Sequence, residues 1–164
     1  HVLHKASKAG SLHIVMQALV FGAEINYEDD RGRTPLHVAA ACSHPAVCEA
    51  LVLEGADTSV TDFKQWNVLH HAVESDDVCV VKLFVDLDLD LEYRCAQGMT
   101  ALHWASHQGH IKIVEYLIDS SAHIDALCKK DFTPLHYAVE ANNIEVFDML
   151  VNKVSGVCVC VVCV

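Results

Sequence analysis

Five six-residue segments recur along this chain at one spacing, and that spacing restricts its fold more than any other feature. Thr34-Pro35-Leu36-His37-Val38-Ala39, Thr100-Ala101-Leu102-His103-Trp104-Ala105 and Thr133-Pro134-Leu135-His136-Tyr137-Ala138 share one pattern. Asn67-Val68-Leu69-His70-His71-Ala72 and His1-Val2-Leu3-His4-Lys5-Ala6 are divergent copies. The shared histidines fall at 4, 37, 70, 103 and 136, a step of 33 residues without insertion. A fixed period of this length means that one supersecondary unit is repeated and that stacking neighbours build the core, since a single unit cannot bury its own apolar face.

Each unit reads as two helices. Thr34, Thr100 and Thr133 are suited to cap a helix N-terminus, and Pro35 and Pro134 follow at the first helical position, where no N–H is needed. The small Ala6, Ala39, Ala72, Ala105 and Ala138 allow neighbouring helices to approach closely. Gly10 and Gly109 end the first helix with a residue free to take positive φ, and Asn142 is the next-best choice, with Ser43 and Asp76 weaker. The second helix carries an apolar stripe, Ile111, Val114, Leu117 and Ile118 in one copy and Ile144, Phe147, Leu150 and Val151 in the next. Gly22-Ala23 and Gly55-Ala56 close that helix, while Asp88-Leu89 and Ser121-Ala122 depart from the pattern. The alternation from Asp86 to Glu92 looks strand-like alone, but the phase of the repeat leaves it only the loop.

The hexapeptide matches the ankyrin signature. Over residues 1–153 the chain resembles the ankyrin-repeat family, with repeats at 1–33, 34–66, 67–99, 100–132 and a partial fifth at 133–153. The resemblance implies an all-α solenoid of stacked helix-turn-helix units joined by β-hairpin-like loops. It implies a structural role for the repeat histidine, whose ring ties the turn between repeats. It also implies a protein–protein interaction module, a piece of a larger intracellular scaffold or regulatory protein, that binds a partner protein or peptide on its concave face. Asn26 resembles the hairpin asparagine that hydroxylases modify in such domains, although Ser59, Glu92 and Asp125 stand in the other copies. Residues 13–26 look faintly like the repeats of Arf GTPase-activating proteins. The alternative is therefore a targeting module of an enzyme whose catalytic domain lies outside this chain.

Partner contacts are expected at the positions the repeat leaves variable. The residue after the repeat histidine and the loop tips hold both tryptophans, Trp66 and Trp104, with Phe63, Phe132 and Tyr137 near them. His71, His107, Arg33 and Met99 complete the candidate set. Clustered aromatics are favoured for binding because Trp and Tyr dominate interface energetics.

Charge and cysteine usage narrow the classes. With 11 basic and 22 acidic residues the net charge is -11, which argues against nucleic acid as the main partner. The acid is densest from Glu74 to Glu92, read as a solvated rim, with a docking patch for a basic partner as the alternative. Cys42, Cys48 and Cys79 fall in helical patterns and are expected to be buried and free, which suits a reducing intracellular compartment. No apolar run is long enough to span a bilayer, so membrane insertion is not expected. His71, His107 and His110 are read as surface residues rather than zinc ligands. No catalytic, phosphate-binding or dinucleotide motif occurs, so neither enzymatic activity nor a cofactor is expected. The chain is in register from His1, which suggests residues upstream. The Val/Cys-rich stretch 154–164 breaks the repeat, and its Val-Ser and alternating Val-Cys codons suggest translated intron.

Overall fold

The computed structural model describes residues 2–155. Among the described residues ten α-helices alternate between shorter and longer: α1 Val2–Lys8, α2 Leu12–Val20, α3 Pro35–Ala41, α4 Pro45–Leu53, α5 Val68–Glu74, α6 Val78–Asp86, α7 Ala101–Gln108, α8 Ile111–Asp119, α9 Pro134–Glu140 and α10 Ile144–Ser155. Apart from α10 none exceeds nine residues. Helices this short are marginal in water, so packing and not propensity holds them. The odd-numbered helices stack in chain order into one layer and the even-numbered helices into a second. Between the layers lies one continuous core, in which Leu36, Leu69 and Leu102 from the first layer meet Leu51, Phe84 and Leu117 from the second. Ala39, Ala72, Ala105 and Ala138 are fully buried where the first-layer helices approach.

In repeats 1, 3 and 4 the repeat histidine ties one turn to the next. In repeats 2, 4 and 5 its Nδ1 accepts the N–H of the threonine three residues earlier, at 3.1 Å each, the return half of a capping box in which His takes the usual Glu position. The threonine hydroxyl lies 2.8–2.9 Å from the same nitrogen. With Nδ1 an acceptor in these repeats, Nε2 carries the proton, and His103 donates it to the Phe132 carbonyl at 3.0 Å. In repeats 1 and 3, Nε2 of His4 and His70 lies 2.8 Å from Arg33 O and 3.1 Å from Met99 O, and His70 Nδ1 lies 2.7 Å from Asn67 Oδ1. Burial pushes His37 and His70 down to about 4 and lowers His103, so these rings are neutral.

The loops are pinned in the same register. Asp29, Asp62, Cys95 and Cys128 each donate a backbone N–H to the carbonyl four residues on, closing a tip. Neighbouring tips then join: Phe63 N to Arg31 O, Ala96 N to Lys64 O and Lys129 N to Gln97 O, at 3.0–3.2 Å. Among the described residues these hairpins contain no β-strand. The turn after each first helix takes positive φ in all five repeats, at Gly10, Ser43, Asp76, Gly109 and Asn142. Asp88 and Ser121 hold the same region where Gly22 and Gly55 stand in earlier repeats. Cys48 is buried, whereas Cys79 is exposed, because its place in the first turn of α6 faces away from the core. Helix α10 continues through Val154 and Ser155, two residues beyond the expected repeat boundary. The remainder of the Val/Cys stretch, 156–164, lies outside the described residues.

Candidate functional site

The first-layer helices and the tips share one face, and the residues on it obey a second rule of register. Tip position 62 and helix position 71 are nine residues apart, as are 95 and 104, and 128 and 137. In repeat 2 the tip residue is Asp62. Its Oδ1 accepts the N–H groups of Lys64 and Trp66 at 2.8 and 2.9 Å, and its Oδ2 lies 3.1 Å from His71 Nε2. One repeat on, Cys95 replaces the carboxylate and Trp104 the histidine, and the buried Nε1 of Trp104 has no hydrogen-bond partner. In the next, Cys128 Sγ lies 3.5 Å from Tyr137 Oη and accepts the Lys130 N–H at 3.4 Å. Although burial opposes it, the Cys128 thiol is held below its usual range by those bonds. Desolvation pushes Tyr137 up to about 12.

Around the Asp62–His71 pair opens a cleft of about 390 Å³, lined by Arg31, Arg33, Phe63, Lys64 and Glu74 among others. The Phe63 ring stands at its lip, 75% exposed. It rests on Gly32, where an added Cβ would lie 2.7 Å from Phe63 Cδ1, so the missing side chain gives the ring its seat. Arg33, in the lining, donates from Nη2 and Nε to one oxygen of Asp29, Oδ2, at 2.7 and 3.0 Å. Lys64 Nζ lies 4.8 Å over the Trp66 ring, and Glu74 Oε2 is 3.5 Å from His71 Nδ1.

From this cleft an aromatic ladder runs along the first-layer helices. Trp66 meets Trp104 edge-on at 4.8 Å, and Trp104 stacks on His107 at 5.5 Å and 7°. His107 meets Tyr137 at 6.0 Å, and Tyr137 meets Phe132 at 5.9 Å. The expectation of a row of exposed aromatics therefore requires correction. Trp66 is only 6% exposed and Tyr137 8%, and with Met99, Cys95 and Cys128 they form a second, smaller core under the tips. His71 is buried too, while Trp104, His107, Phe132 and Arg33 are half-buried and Phe63 is open. Each large ring lies down on the next repeat because a ring that spans the inter-repeat spacing removes apolar surface from water on both sides.

Of the cleft residues, Lys64 and Glu74 fall at tip and helix positions where partner contacts are expected, whereas Asp62 escaped the sequence reading. Comparing position 62 with 29 in the 33-residue register was the available signal. Asn26 Oδ1 accepts the N–H of Asp57 at 2.9 Å, joining one loop to the next. His110 pairs with Asp76 at 3.0 Å on the turn between helices, apart from His71 and His107. Among the described residues no group of three or more His, Cys, Asp or Glu side chains is placed to hold a metal ion, and no helix is long and apolar enough to cross a membrane.

Comparison with known proteins agrees with this architecture. The model of the family described as ankyrin repeats (3 copies) matches residues 1–62, 47–128 and 69–161, in overlapping sets. Ankyrin repeat domain-containing protein SAT10 of Stachybotrys chartarum is 37% identical over 54% of this chain and 5% of its own length. The ADP-ribosylation factor GTPase-activating protein AGD2 of Arabidopsis thaliana is 36% identical over 51% of the chain and 11% of its own. Human protein phosphatase 1 regulatory subunit 27 is 37% identical over 37% of the chain and 39% of its own. The chain thus spans well under half of each of these relatives. A 33-residue period, paired short helices in two layers, histidine ties between successive turns and the family match agree: the chain belongs to the ankyrin-repeat family.

Proposed function

We propose that this chain is a protein-interaction module that seats a segment of a partner protein on the face built by its first-layer helices and tips. Phe63, Lys64 and Glu74 form the cleft end of that surface, and Trp104 and His107 continue it. The observation that carries the reading is the contrast on one face: the neighbouring rings are buried against each other, whereas Phe63 is left standing in solvent beside a cleft. An exposed ring fixed by its backbone costs little ordering entropy on binding. Buried Trp66, Tyr137, Met99 and His71 shape the floor, Arg33 and Phe132 frame it, and the direct contacts fall to the more open residues.

The test is selection of a displayed random-peptide library on the immobilised chain, followed by titration of the selected peptides. Phe63→Ala and Trp104→Ala are expected to weaken binding about tenfold each, more than about 1 kcal/mol, with the helical circular dichroism unchanged. Affinity unchanged in both folded variants counts against the reading.

The similarity to AGD2 supports a second reading, in which the module positions an enzyme whose catalytic domain lies elsewhere in a longer polypeptide. A zinc-finger GTPase-activating domain encoded upstream in the complete gene is its expected signature, and a complete gene lacking one dismisses it.

A further inference from the structure

The charges that face solvent are divided between the two sides of the solenoid. The first-layer helices and tips carry Lys5, Lys8, Arg31, Arg33 and Lys64 in repeats 1 and 2, then Lys129 and Lys130. Six acids share that side, but Asp29 is engaged by Arg33 and by two backbone N–H groups, and Asp62 by His71 and two more. Asp30, Glu74, Asp131 and Glu140 are the four open ones. The rest of the chain holds Lys82, Arg94, Lys112 and Lys153 against the remaining sixteen of the 22 acids. With Arg33 set aside as the partner of Asp29, six exposed basic residues still face four open acids on this side of a chain of net charge -11, and they are densest in repeats 1 and 2.

Resting on the concave-face reading, we propose that the segment seated in this cleft is acidic, a short extended run of Asp and Glu around one aromatic or aliphatic side chain. The apolar side chain packs against Phe63, whose ring is held by the Gly32 platform. The flanking carboxylates meet Arg31 and Lys64, with Lys5 and Lys8 two first-layer helices away, on α1, in the same register as His71 and Glu74 on α5. Arg31 offers a fork that takes a carboxylate bidentately. Arg33 offsets the charge of Asp29, and Asp62 is buried with both oxygens taken by His71 and backbone N–H groups, so neither carboxylate is presented to such a segment. An acidic protein segment suits the face better than nucleic acid, because a phosphate backbone needs an extended track of cations, and here Glu74 and Asp30 interrupt a cluster confined to two repeats.

Three display pools sharing a randomised apolar centre but with acidic, neutral or basic flanks test this on the intact chain. The acidic pool is expected to enrich. A fluorescein-labelled peptide from it should lose about tenfold in affinity in Arg31→Glu/Lys64→Glu and in Lys5→Glu/Lys8→Glu, and weaken between about 50 and about 500 mM salt as screening shortens. Lys112→Glu, on the outer layer, should leave it unchanged, and circular dichroism confirms that each variant is folded. Enrichment of the neutral or basic pool, with binding lost in Phe63→Ala, overturns the acidic segment while leaving the concave face in place. Enrichment insensitive to every concave-face substitution overturns both. Equal competition by a single-stranded oligothymidine assigns the face to nucleic acid and overturns the proposal. So does self-association in sedimentation equilibrium that Arg31→Glu/Lys64→Glu abolishes, since the acidic run Asp86–Glu92 of a second copy is then the occupant.

Discussion

Asp88 and Ser121 hold left-handed backbone where repeats 1 and 2 have glycine, and both side chains are exposed. A residue with a Cβ in that region carries a cost of about 1 kcal/mol. The double variant Asp88→Gly/Ser121→Gly is therefore expected to raise the melting temperature by several degrees, measured by thermal circular dichroism; an unchanged or lower value shows that the side chains contribute more than the backbone strain removes. Cys95 is the other position of this kind. Its counterpart Asp62 satisfies His71, whereas the buried Nε1 of Trp104 has no acceptor. Cys95→Asp restores both the turn acceptor of repeats 1 and 2 and a carboxylate in register with that indole. A gain of about 1 kcal/mol in chemical denaturation is expected, and a loss places the indole out of reach of position 95.

The tip and first helix of each repeat divide their aromatic residues between two tasks. Trp66 lies between Lys64, His71 and Trp104 and is nearly sealed from solvent, so Trp66→Ala is expected to destabilise the chain by about 3–5 kcal/mol. Phe63, three residues earlier in the same tip, is expected to change stability by less than about 0.5 kcal/mol when truncated. Paired urea titrations distinguish the two, and similar midpoints for both variants would falsify this division. The helices themselves were legible: the period, the prolines at the start of α3 and α9 and the second-helix stripes placed them closely. Which face of a tip residue is covered was not legible, because Phe63 and Trp66 are equally apolar and differ only in whether the next repeat lies over them.

Across the whole stack, neutral buried histidines make stability depend on pH. Unfolded, His37 and His70 titrate near 6.5; folded, burial holds them near 4. Their contribution is complete above pH 6.5 and falls as pH drops from 6.5 toward 4, by at most about 1.4 kcal/mol per ring per pH unit. The melting temperature should thus decline steadily across that window. A flat profile between about pH 7 and pH 4.5 counts against neutral, buried rings. Among the described residues the fifth repeat differs from the third: Val139 is 60% exposed, whereas Val73, at the equivalent position, is fully buried.

Sequence alone determined the architecture. Covalent spacing sets the period, and a 33-residue unit with two apolar stripes has one way to bury them, against copies of itself. It also gave the repeated histidine its structural role through the family resemblance, and the geometry of the ties supplies the physical reason. Only the tertiary structure decided which variable residues face solvent. Trp66 and Tyr137 are covered because neighbouring tips are hydrogen-bonded edge to edge, and Phe63 is open because Gly32 leaves it a seat outside that contact. The pairing of Asp62 with His71, nine residues apart, likewise exists only once a tip folds over the first helix of the next repeat.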